Sequence, residues 1–236
     1  MAIEDSFYVP REKRIIRSSL DWEKGVEEVG GPDKVASLDF LTSEKQKMDE
    51  AKGKEITGRV RNGILVLNDN YIAGVSARRI ILANGLALNS PKEATEINRA
   101  GKWYSPNREQ QAVAILRALN PEESVLINEA DVKDDVLVMP LNEKSWLSEY
   151  TLRLFGGKNR NETQAKEARK YFVDQLRSTN KPAERISLYL PTIKEAEKIK
   201  APIATQIWVG GLAYDFNLDG YDRNLYLADG VLGVRE

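Results

Sequence analysis

The chain has 236 residues, 42% hydrophobic and 30% charged, with a formal net charge of −1 at pH 7. This is an ordinary soluble globular mixture, long enough for one large domain or a domain with an extension, and its charge argues against a general nucleic-acid binder, which carries a basic excess. It contains no Cys and no His, which excludes disulfide scaffolds, Cys-ligated zinc, Cys nucleophiles and His-based triads and leaves only carboxylate, Lys, Tyr or Ser–Lys chemistry.

Residues 1–56 are polar and broken up, and read as an N-terminal arm or extension. "SSLDWEKGVEEVGGPDKV" holds a short helical pattern closed by Gly30, Gly31 and Pro32, and "SEKQKMDEAKGKE" is charged throughout. The opening "MAIEDSFYVPREKR" lacks the apolar core of a secretory signal, and no apolar run reaches the length of a membrane span. The expected location is therefore cytoplasmic or virion-associated.

From Ile56 the texture changes. "ITGRVRNGILVLNDNYIAGVSARRIILANGLAL" is apolar and β-branched, punctuated by Asn and Gly, and predicts strands with tight turns. "SPNREQQAVAILRALN" predicts a helix with Ser105 as cap, Pro106 in the first turn and a stripe of Ala112, Ile115, Leu116 and Leu119. "SVLINEA" and "DVLVMPL" predict short strands. Glu129, Asp134 and Asp135 lie near their ends. Paired carboxylates could do acid–base work, but solvated turn residues are the better reading.

"NETQAKEARKYFVDQLRST" predicts a helix burying Ala165, Ala168, Phe172 and Leu176, with Asn161 and Gln164 placed for a capping box. "SLYL" predicts a strand. Thr192 then opens a short helix, with Glu195 three residues on in a second capping box. "TQIWVGG" and "GVLGVRE" predict two closing strands, and no solenoid repeat is present.

Between those strands the composition is unusual: no Lys, Glu, Gln, Met or Trp occurs from Val209 to Val234. Asp215-Phe-Asn217-Leu-Asp219-Gly220 matches the opening of an EF-hand calcium loop, but its twelfth position is Tyr226 where a bidentate Glu is needed. A set of Asp- and Gly-rich turns accounts for those two residue types. It leaves unexplained Tyr214, Phe216, Tyr221 and Tyr226, since aromatics among Asp, Asn and Gly are the mixture of adaptable recognition loops. A third account is genetic. An AAC codon whose adenines are randomised yields Tyr, Asp, Asn, Phe, Leu, Ala, Gly and others, never Lys, Glu, Gln, Met, Trp or a stop.

These features resemble the variable proteins of diversity-generating retroelements, in which an error-prone reverse transcriptase rewrites adenine positions near the end of a target gene. The helix "AKEARKYFVDQL" leads to "LYLPTIKEAEKI", which is similar to a segment of the formylglycine-generating-enzyme branch of the C-type lectin fold. "IWVGGL" resembles the strand before a variable region, and "GVLGVRE" resembles the closing strand. The resemblance covers residues 160–236 best and points to an archaeal or archaeal-viral source.

It implies an α+β C-type lectin-like domain over 57–236, with two helices, a small antiparallel sheet and the N-terminal extension, and a candidate variable region at 212–230. It further implies a framework of Trp208, Val209, Leu218, Gly220, Arg223, Leu225, Gly230, Val231, Leu232 and Val234. The displayed residues would be Tyr214, Asp215, Phe216, Asn217, Asp219, Tyr221, Asp222, Asn224, Tyr226, Leu227, Ala228 and Asp229. The expected function is non-enzymatic ligand recognition, with a protein as partner, no nucleic acid, and no metal or cofactor. The lack of Cys excludes formylglycine-generating chemistry, and the Glu-Pro-Asn, Gln-Pro-Asp and Trp-Asn-Asp motifs of calcium-dependent lectins are absent. The alternative is a structural or calcium-stabilised surface or virion module with an invariant Asp/Asn-rich loop.

Overall fold

A computed structural model describes residues 3–8, 14–18, 20–42, 58–67, 79–84, 87, 90–105, 124–178, 180, 182–199, 202–209, 217–221, 225 and 230–235. The expected helix after Ser105 lies outside them.

The strands are β1 (Ile3–Tyr8), β2 (Arg14–Ser18), β3 (Gly58–Leu67), β4 (Arg79–Asn84), β5 (Ser124–Ile127), β6 (Val132–Lys133), β7 (Val136–Pro140), β8 (Arg185–Tyr189), β9 (Ile203–Val209), β10 (Asn217–Asp219) and β11 (Val231–Arg235). They form one sheet in the order β1-β2-β11-β3-β9-β10-β8-β7-β6, with β4 and β5 branching from β3. The small antiparallel sheet expected from sequence is thus corrected to a large mixed one. β10 runs parallel to β8, and β11 meets β3 in parallel at Val231 and Arg59.

The branching follows from the length of β3. Its start lies between β11 and β9, and its end between β4 and β9, with a register shift between Arg59 and Gly63. Such a bulge leaves backbone groups outside the ladder. The buried amide of Gln206 serves them. In the orientation that satisfies both its ends, its nitrogen donates to the carbonyls of Val60, Arg61 and Asn62 at 3.0–3.1 Å, and its oxygen accepts from Ala87 N at 3.0 Å.

Side chains alternate across a strand, and here both faces are covered. Ile64, Val66, Ile80, Leu82 and Ile203 enter one core, and Leu65, Ile81, Ala83 and Ala204 enter the other. That is why "GILVL" and "RIILAN" read as continuous apolar runs instead of an alternation.

The first core lies under the helix Glu162–Ser178, which buries Ala165, Ala168, Tyr171, Phe172 and Leu176. Trp146 donates from Nε1 to Ala165 O at 2.6 Å and stacks on Phe155 at 5.2 Å. Asn161 caps the helix by accepting from Gln164 N at 3.1 Å. The box is half made, because the Gln164 side chain donates to Asp39 O at 3.0 Å.

The second core holds Ile16, Trp22, Val26, Val29, Leu225 and Val231. The described part of 1–56 is therefore built into the domain and is no free arm. β2 pairs with β11 over five residues, and the helix Trp22–Glu28 buries Trp22, Gly25 and Val26. The two helices expected of the fold, Glu162–Ser178 and Ile193–Ile199, are present, and Trp22–Glu28, Pro91–Arg99, Glu143–Trp146 and Glu149–Phe155 join them among the described residues.

Asp134 and Asp135 form the two-residue turn of the β6–β7 hairpin, with φ of 52° and 62°. Type I′ turns need positive φ at both positions, which Asp tolerates. Their carboxylates are exposed at a turn.

Candidate functional site

The segment between β9 and β11 is tied down at several buried points. Leu218 is fully buried in the first core and pairs with Val209. Leu225 is buried in the second, and its carbonyl accepts from Trp22 N at 2.8 Å. Gly230, at φ 90°, accepts at its carbonyl from Arg59 N at 3.0 Å. A side chain there would meet Arg17 Nε at 2.6 Å and Ser18 O at 3.0 Å. Val231 and Leu232 are buried on opposite faces, and Val234 packs partly against the first core. Trp208 is half-buried, beside Arg59 on β3 and Asp219 on β10. Its Nε1 is shielded from solvent with no hydrogen-bond partner among the described residues.

Gly220 sits where backbone and core meet. Its N–H donates to Tyr189 O at 2.9 Å, and a Cβ would lie 2.1 Å from Ile64 Cδ1. Arg223 lies outside the described residues.

Of the displayed set, Tyr214, Asp215, Phe216, Asp222, Asn224, Tyr226, Leu227, Ala228 and Asp229 lie outside the described residues, and Asn217 is described by backbone alone, paired with Ser187. Asp219 and Tyr221 are described in full. Asp219 Oδ1 accepts from Tyr221 N at 2.8 Å, an Asx turn that aims the next side chain outward. This engages one carboxylate of the EF-hand-like pattern. Among the described residues no group of three or more acidic side chains could hold a metal ion.

Tyr221 is 46% exposed. Its ring meets Trp103 edge to face, with centroids 5.6 Å apart and planes at 72°. Its hydroxyl donates to Glu195 Oε1 at 3.4 Å. Trp103 and Glu195 both line a cavity of about 400 Å³, one wall from Gly101–Trp103 and Ser105, the other from Glu195, Lys198 and Ile199. That volume lies within the range of small ligand sites. The second wall is one face of the helix Ile193–Ile199, whose start is capped by Thr192 Oγ1 accepting from Glu195 N at 3.1 Å. Residue 221 thus stands beside a recess made by parts of the chain far from it in sequence.

Sequence reading assigned Glu195 only to a cap and passed over Trp103 and Ile199. The available signal was slight: an aromatic pair, Trp103-Tyr104, in a polar stretch, and an apolar Ile199 that follows Glu197 and Lys198.

No family model and no curated protein matches the chain. A solved structure described as "Accommodation of massive sequence variation in Nanoarchaeota by the C-type lectin fold" is similar to it, with a TM-score of 0.58 and 12% identity over 96% of this chain and 98% of that one. At that identity the likeness establishes the fold, so the architecture above is a C-type lectin fold. No described helix is long and apolar enough to cross a membrane.

Proposed function

We propose that this is a non-enzymatic recognition protein that displays a diversified C-terminal surface to a protein ligand, the variation arising by adenine-directed rewriting from a retroelement. One observation carries the reading. The stretch that lacks every residue an AAC-derived codon cannot encode begins and ends on buried strands, and Leu218, Gly220 and Leu225 interrupt it as buried anchors. The fold of the Nanoarchaeota structure, described as accommodating massive sequence variation, supports it.

The physical logic is a division of labour. Each buried leucine anchor contributes about 1.5–3 kcal/mol, while exchange of an exposed side chain costs about 0.5 kcal/mol or less. The scaffold therefore tolerates rewriting of what lies between the anchors.

A library with AAC-derived codons at the twelve displayed positions tests this. Most members should remain soluble and folded, and selection against a panel of proteins should yield binders. The same randomisation at Leu218, Gly220, Leu225 and Val231 should destroy folding. Equal loss of folding in both libraries contradicts the proposal.

A further inference from the structure

We propose that the cavity beside Tyr221 is a constant subsite for a basic side chain, Arg or Lys, of a protein ligand, with Tyr221 as the adjustable residue at its entrance. The choice of a protein as partner rests on the recognition reading above. The described residues that line the cavity lie outside 212–230.

Glu195 motivates the assignment. Its Oε1 takes the Tyr221 hydroxyl at 3.4 Å, well beyond the usual O–H···O distance. Its Oε2 is shielded from solvent and has no hydrogen-bond partner among the described residues. A carboxylate oxygen withdrawn from water without a donor is costly, and the group that relieves it brings both donors and positive charge. A guanidinium carries five N–H donors in one plane and can serve both oxygens at once. The long Tyr221 bond is the one an entering cation replaces, which frees Oε1 for it beside the unpartnered Oε2.

The surroundings suit the same occupant. The Trp103 and Tyr221 rings form an edge-to-face pair, and aromatic faces attract cations. Ile199, 39% exposed, offers apolar surface to the methylene stem of a long basic side chain. Two charges oppose it. Lys102 and Lys198 line the same cavity, and both are exposed. They make the sign of the occupant testable, because removing Lys198 helps a cation and harms an anion.

Residue 221 lies within the candidate variable region, whereas Trp103 and Glu195 do not. Rewriting position 221 would then reshape the entrance to a site whose Glu195 carboxylate stays the same.

The experiment titrates the full chain with Nα-acetyl-arginine N-methylamide, and in parallel with Nα-acetyl-aspartate N-methylamide, followed by NMR. The arginine probe should bind saturably, about tenfold more weakly to Glu195→Gln, the loss expected for one charge-assisted contact. It should bind more tightly to Lys198→Ala at low salt. Glu195→Gln keeps the backbone bond to Thr192, and a thermal melt checks its fold. Should it fail to fold, Tyr221→Phe replaces it: freeing Oε1 should tighten arginine binding.

No saturable binding of the arginine probe overturns the proposal. So does equal binding by wild type and Glu195→Gln, or, in the substitute test, no tightening by Tyr221→Phe. Preference for the aspartate probe, lost in Lys198→Ala, overturns it in favour of an acidic occupant. None of these outcomes bears on whether the codons vary, which the gene sequence answers separately.

Discussion

A methyl group added at position 220 would sit 2.1 Å from Ile64 Cδ1 and 3.0 Å from Tyr189 O, whereas the next side chain, Tyr221, is 46% exposed. Gly220→Ala should therefore cost about 1–3 kcal/mol through overpacking. Tyr221→Ala should cost about 1 kcal/mol, the worth of its edge contact with Trp103. Urea denaturation of the two variants checks this contrast between anchor and display. Tyr104 offers a second test. Burial, and then the nearby Glu93 carboxylate, push its phenol up to about 12 against a hydrogen bond from Ser90. Between about pH 10 and pH 12 the unfolded chain releases this proton while the folded chain keeps it. Stability should fall through that window by about 2–3 kcal/mol as pH rises. The fall should be shallower in Tyr104→Phe, as read from denaturation curves at about pH 9.5 and 11.5.

Among the elements, β3 decides the branching of the sheet, and Gln206 makes its bulge tolerable. Gln206→Leu leaves the carbonyls of Val60, Arg61 and Asn62 without that donor, and should destabilise the chain by about 1–3 kcal/mol on chemical denaturation. Thr192→Ala removes the cap of the helix carrying Glu195 and should cost about 1 kcal/mol. Both caps, at Asn161 and Thr192, were legible because a capping residue and its partner lie three positions apart. The helix Glu162–Ser178 was legible because its apolar stripe has helical period, although Tyr171 also joins the buried face. β10 was not. Three residues carry no period, and its pairing with β8 and β9 is made by partners distant in the chain. The contact of Trp103 and Glu195 with Tyr221 escaped for the same reason: tertiary packing assembles it from three separate segments.

For the whole molecule, the largest revision concerns the N-terminal residues. Their charge and Gly-Gly-Pro break read as an arm or extension, yet five residues of β2 pair along the edge of β11 and a seven-residue helix closes the second core. Their apolar content is low, but Ile16, Trp22, Val26 and Val29 are spent on a single face. Trp22 joins the two ends of the chain, with its backbone N–H on Leu225 O and its Nε1 on Ala87 O at 3.1 Å. Trp22→Ala should cost about 3–5 kcal/mol. It should also raise amide exchange around Leu225 and Val231 more than around Phe172, as hydrogen-exchange mass spectrometry would read it.

The central claim concerns the gene as much as the protein. The most direct measurement is the DNA sequence of the 3′ end of this gene and the few kilobases around it. The account predicts a near-copy of the segment encoding residues 205–236, beside a reverse transcriptase gene, differing from it only at adenines of that copy. Those adenines should fall in codons for displayed residues and spare Leu218, Gly220 and Leu225. Absence of any near-copy, with Tyr and Asp codons of mixed third base, would contradict it and return "DFNLDGYDRN" to an invariant loop.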